Sequence, residues 1–99
     1  MKAEIIEISD EAINDITKAF LWYEKQLAGL GFDFIKFFDE DLNRITSFSE
    51  SFPVAYKGLR KCVMEKFPYI IYYKIYRSKR QIKIIRVLHS KRERKKHLR

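Results

Sequence analysis

Apolar residues recur at two different periods along this chain, and the change falls near its middle. The first segment, Ala3-Glu-Ile-Ile-Glu-Ile8, reads as a short strand. Ser9 followed by Asp10-Glu11 predicts a helix start, with a hydroxyl cap and acids near the positive end of the dipole. Ile13, Ile16, Phe20, Tyr23 and Leu27 then fall three or four apart, which places them on one helical face. Gly29 suits the left-handed position that ends a helix, and Gly31 suits a tight reversal. Phe34, Phe38, Leu42, Ile45 and Phe48 repeat the spacing in a second helix. The two helices form an antiparallel hairpin. Their other faces carry Asp15, Lys18, Glu24, Lys25, Lys36, Glu40 and Arg44, read as solvated.

Ser49 to Lys57 reads as a loop broken by Pro53. Beyond it the period shortens to two. Leu59–Glu65, Tyr69–Tyr76 and Gln81–His89 are rich in Ile, Val and Tyr, with short connections at 66–68 and 77–80. They predict three antiparallel strands in a meander. The expected fold is α+β: N-terminal strand, antiparallel helical hairpin, three-stranded meander, one sheet. Helices should cover one sheet face and leave the other partly open. The last strand has Ile82, Ile84, Arg86 and Leu88 on one side and Lys83, Ile85, Val87 and His89 on the other. Both sides are mixed, so parity alone does not say which meets the helices.

Composition narrows the class. Ninety-nine residues suffice for one domain and one core. A single Cys excludes a disulfide framework and any multi-cysteine zinc site, and points to a reducing compartment. Cys62, inside a predicted strand, is read as a small core residue. The longest near-apolar run, Phe67–Tyr73, is far short of the ~20 residues of a membrane helix. Glutamates interrupt any N-terminal signal core, so the expected location is the cytoplasm.

Charge is sharply segregated. Residues 1–50 hold five Lys/Arg and eleven Asp/Glu, a net of −6, whereas residues 51–99 hold sixteen and two, a net of +14. Such a basic half attracts nucleic acid or an acidic partner, or serves solubility. The segment 90–99, with six Lys/Arg and one Glu, reads as a basic C-terminal tail on a single domain.

Candidate chemistry is sparse. There is no phosphate-binding loop, no dinucleotide fingerprint and no Cys/His metal spacing, so neither cofactor nor metal is expected. His89 and His97 lie eight apart, in poor geometry for a metal. Tyr69, Tyr72, Tyr73 and Tyr76 suit either base stacking or a half-buried sheet. The basic set Arg60, Arg86, His89, Lys91 and Arg92 suits contact with phosphate or another acidic target. Metal-free phosphodiester cleavage would need cations around the phosphate plus an acid and a base. The conditional catalytic set is then Arg60, Glu65, Arg86 and His89, since a histidine titrates near ~6.5.

Four local strings, in order, resemble the RelE/ParE superfamily of bacterial toxins. Lys66-Phe-Pro-Tyr-Ile-Ile-Tyr-Tyr73 is similar to one family strand, and Ile82-Lys-Ile-Ile-Arg-Val-Leu-His-Ser-Lys-Arg92 to another. Ala19-Phe-Leu-Trp-Tyr-Glu24 with Gly29-Leu-Gly31 and Phe34 is similar to the helical motif, and Gly58-Leu-Arg60 to the string before the sheet. The resemblance implies a growth-inhibiting toxin in a hetero-oligomer with a cognate antitoxin. ParE-like members act on DNA gyrase, and RelE-like members cleave mRNA on the ribosome. The RVLH and FPY strings and the absence of tyrosine after Tyr76 favour the ParE side. The alternatives are a RelE-like ribosome-dependent interferase and a non-toxic docking module for nucleic acid or protein.

Overall fold

A computed structural model describes residues 2–91. The chain runs β1 (Ile5–Ile8), α1 (Asp10–Gln26), α2 (Leu30–Ser47), β2 (Val54–Tyr56), β3 (Leu59–Val63), β4 (Tyr69–Tyr76) and β5 (Gln81–His89). One five-stranded sheet has the order β1-β5-β4-β3-β2. The expected meander is present as antiparallel β3, β4 and β5. β1 joins the same sheet, parallel to β5 with Ile8 opposite Ile84. Among the described residues no helix is long and apolar enough to cross a membrane.

Ser9 caps α1 as its sequence suggests. Its hydroxyl accepts the Ala12 N–H at 3.0 Å and donates to the Ile85 carbonyl at 2.8 Å. The buried face of α1, however, is rotated from the expected one. Ala12, Asp15 and Ala19 are buried, while Ile13 and Leu27 are 50% and 64% exposed. The small alanines let the helix lie close to the sheet, and the bulky isoleucine at position 13 points away. Asp15 is thus not part of the solvated face.

Glu24 also differs from the solvated reading. Its carboxylate accepts the N–H groups of Gly29 and Gly31, at 2.9 and 3.0 Å. α1 therefore caps α2 across the hairpin, satisfying N–H groups that have no partner within the helix. Gly29 is left-handed, at φ +94°, but opens α2 rather than closing α1. Gly31 lies inside α2, where a Cβ would meet the Phe20 carbonyl at 2.6 Å. Its hydrogen lets the two helix backbones approach closely at this point. On α2, Phe34, Phe38 and Ile45 are buried as expected, whereas Phe48 caps the helix end at 62% exposure.

Residues 54–56, read as loop, form the edge strand β2. The turn into β3 is Lys57-Gly58, with both residues at positive φ, +48° and +77°. Two consecutive positive φ angles are what a two-residue hairpin needs. Lysine rather than asparagine in the first position hides that signal.

A β-bulge resolves the mixed parity of β5. Tyr72 pairs with Arg86 and Tyr73 with Ile84, so Ile85 is an extra residue. Ile82 and Ile84 face the helices before the bulge, and Val87 does so after it. Leu88 turns to the far face with Leu59, Ile70 and Tyr72. That face is buried at its centre and open at Val63 and Tyr76.

Two outcomes follow. Gly31→Ala should destabilise the fold by about 1–3 kcal/mol, read as a drop in thermal midpoint of several degrees. Burial pushes the Cys62 thiol up to about 11. Because that lies above the unfolded value of ~8.5, the folded chain keeps its proton where the unfolded chain loses it, so stability is undiminished below ~8.5 and falls as pH rises from there through 11. At pH 8 a maleimide should label Cys62 only after denaturation.

Candidate functional site

The bulge in β5 leaves backbone groups without ladder partners, and α1 supplies them. The Ser9 N–H donates to the Ile84 carbonyl at 2.9 Å, and the Ser9 hydroxyl takes the Ile85 carbonyl. Asp15 Oδ2 accepts the Val87 N–H at 2.9 Å. The same carboxylate receives the Arg86 guanidinium in a fork, Nε to Oδ2 at 2.8 Å and Nη2 to Oδ1 at 2.9 Å. The Asp15 side chain is 7% exposed and that of Arg86 20%. Hydrogen bonding to Asp15 raises the Arg86 pKa above its ordinary value, against the opposing effect of burial. A buried pair of this kind is costly to break, because the remaining charge has no substitute for water.

Arg60 is engaged at another place. It leaves β3 toward the helices, and its Nη1 donates to the carbonyls of Glu50 and Phe52 at 3.1 and 2.7 Å. The Tyr73 hydroxyl donates to the Ser49 carbonyl at 2.6 Å. Burial raises the Tyr73 pKa, so that hydroxyl stays protonated. Together these side chains fasten the segment between α2 and β2. Glu65 lies beyond the end of β3, exposed, with Arg44 of α2 at 3.7 Å. Arg44 binds Asp41 more closely, at 2.6 Å.

His89 ends β5. Its ring meets Tyr69 edge to face at 5.2 Å, and its Nδ1 accepts the Lys91 N–H at 3.1 Å. Nε2 therefore carries the proton of the neutral ring. His89 and Lys91 line an open groove of about 550 Å³ with Trp22, Tyr23, Pro68 and Tyr69. Arg92 lies outside the described residues, as do His97 and the rest of the basic tail.

The four residues of the conditional catalytic set are therefore not assembled around one point. Arg86 and His89 share the α1–β5 seam. Arg60 holds the 50–52 carbonyls, and Glu65 belongs to the Arg44 side. Sequence reading missed Asp15, because acids at helical spacing are usually solvated. The available signal was its place between Ala12 and Ala19, three and four residues away on the small-residue face.

The strings that carried the family resemblance converge in space. Tyr23, Phe34, Phe67 and Tyr69 form one aromatic cluster, with ring centroids 4.8 Å apart for Tyr23–Phe67 and 5.2 Å for Phe34–Tyr69. Edge-to-face contacts of this sort add to simple area burial. The helical motif and the FPY string thus meet directly, and the RVLH string supplies the Asp15 partner. A second concave surface lies between the helices. It measures about 520 Å³ and is lined chiefly by Ile8, Ile13, Ile16, Ile35, Phe38 and Leu42. Among the described residues no group of three or more His, Cys, Asp or Glu could hold a metal ion.

Removing the acid alone should expose how much the fold rests on this pair. Asp15→Ala should lower unfolding stability by about 3–5 kcal/mol in urea titration. A loss under 1 kcal/mol would make the pair an incidental surface contact.

Comparison with known proteins agrees with the architecture. A solved structure described as the chromosomal ParDE TA system from P. aeruginosa superimposes with a TM-score of 0.75 at 13% sequence identity. The match covers 86% of this chain and 94% of that one. Comparison with curated protein sequences returns no match. The family model for "ParE toxin of type II toxin-antitoxin system, parDE" matches residues 6–94, nearly the whole chain. The chain belongs to the ParE toxin family of type II toxin–antitoxin systems.

Proposed function

We propose that this chain arrests bacterial growth by interfering with DNA gyrase in the cytoplasm, and that a cognate antitoxin holds it silent. The observation that supports gyrase over mRNA is the engagement of the two strand arginines. Arg86 is forked on Asp15 and Arg60 is committed to two backbone carbonyls. Metal-free cleavage of a phosphodiester asks for cations that meet the phosphate and for a nearby acid and base. Glu65, the carboxylate available for that work, sits beside Arg44 and not in the His89 groove. On this reading the basic half is a docking surface, with His89 and Lys91 among its contacts.

Family membership supports the antitoxin partner, and the P. aeruginosa structure carries the name of the whole ParDE system. The apolar surface between α1 and α2 suits an amphipathic antitoxin segment that folds on contact. Ile13, half exposed, stands at that surface.

Supercoiling by the host gyrase should fail, or end in double-strand breaks, at saturating toxin, while mRNA 5′ ends from induced cells stay unchanged. Normal supercoiling with new codon-phased cuts would overturn the gyrase reading and favour the interferase. Ile13→Asp should keep toxicity yet weaken antitoxin rescue about fivefold or more, since truncating a central apolar contact costs over ~1 kcal/mol.

A further inference from the structure

The seam between α1 and β5 holds more than the ion pair. Ala19 and Val87 form its floor, and their small size leaves a trough above them. One part measures about 240 Å³ and is lined by Asn14, Lys18, Trp22, Tyr69 and the Asp15–Arg86 pair. The adjoining part is the groove of about 550 Å³ at His89 and Lys91. Trp22 and Tyr69 line both parts, so the aromatic pair stands where they meet.

Trp22 is 56% exposed, a large apolar area for a side chain beside an established core. Its contact with Tyr23 is edge to face, at 5.0 Å and 86°. The indole therefore has open surface that lines the trough. Cationic side chains stand at both ends of the trough, Lys18 at one and Lys91 at the other. At the Lys91 end the His89 ring is oriented by the Lys91 N–H on Nδ1, which leaves Nε2–H as a donor.

We propose that this trough binds a nucleotide unit, its base stacked on Trp22 beside Tyr69 and its phosphate held by His89 and Lys91. A base of any identity offers a π face, and aromatic platforms flanked by cations are how unpaired nucleotides are held. The larger part alone, at about 550 Å³, lies in the range of small-ligand sites, ~300–1,000 Å³. A purely apolar ligand would leave Lys18, His89 and Lys91 without use. The buried Asp15–Arg86 pair closes the inner wall and offers polar edges to the base. The proposal shares His89 and Lys91 with the docking surface of the gyrase reading, but nucleotide binding is measured on the chain alone and the supercoiling assay tests gyrase separately. A free nucleotide and an unpaired stretch of a nucleic-acid chain present the same chemistry.

Trp22 is the sole tryptophan of the chain, so its fluorescence reports on this trough directly. The full chain would be titrated at low salt with AMP, with a single-stranded oligodeoxyadenylate of about six nucleotides, and with a duplex of the same length. Saturable quenching is expected with at least one of the unpaired probes. Tighter binding of the oligonucleotide would assign the site to a chain, and equal binding to a free nucleotide. Lys91→Ala, at an exposed position, should weaken the affinity about threefold to tenfold with unchanged thermal unfolding. His89→Gln should do the same. The duplex should leave the fluorescence near its starting value. Absence of saturable quenching by both unpaired probes at millimolar concentration would overturn the proposal. So would quenching that survives both substitutions, or equal quenching by the duplex.

Discussion

One carboxylate, that of Asp15, holds the helical layer to the sheet at the place where the sheet is irregular. A bulge at Ile85 brings the Val87 N–H to Asp15, and the Arg86 guanidinium reaches the same carboxylate. Both need an acceptor in a nearly dry position, and Asp15 serves both with its two oxygens. Without the bulge, strict alternation would put Val87 on the far face with Ile85, and the core would lose its register. Without Asp15, the bulge would bury an unsatisfied N–H and the Arg86 guanidinium would lose its bidentate partner. Helix position, strand register and the path of β5 are therefore one coupled choice.

Element order was legible in the sequence because it depends on local patterns. The Ser9 cap, the glycine hairpin and the period-two stretches each act within a few residues. The rotation of α1 was not legible, since the helix buries alanines and an aspartate and exposes Ile13 and Leu27. Those alanines are selected by close approach to the sheet, a tertiary fact with no signature in hydropathy. β2 escaped notice because three residues flanking a Lys-Gly turn carry little pattern. The bulge escaped for a different reason: it is defined by the pairing of β4 with β5, Tyr72 with Arg86 and Tyr73 with Ile84, not by either strand alone.

The same physics separates what the family strings say from what they do not. Tyr23, Phe34, Phe67 and Tyr69 make one aromatic cluster, Glu24 caps α2, and Arg86 is held by Asp15. In this chain the motifs build the fold, so they speak to the family rather than to its target. Candidate contacts with a target belong instead to exposed groups on the same scaffold, His89 and Lys91 at the strand end and Trp22 beside them. Of the basic set, Arg60 and Arg86 were legible as a pair of strand arginines. Their structural partners were not, since Asp15 lies far away in the chain and the Glu50 and Phe52 carbonyls are backbone groups that carry no side-chain signal.

Arg86 works for the fold through Asp15. A double-mutant cycle with Asp15→Asn, Arg86→Gln and the combined variant, read by urea unfolding, measures it directly. The account predicts a coupling energy of about 1.5–3 kcal/mol, as for hydrogen bonds to charged groups. It also predicts toxicity that follows the folded fraction. Additive losses within about 0.5 kcal/mol, with a folded Arg86→Gln protein that has lost toxicity, would contradict it and place Arg86 at the target.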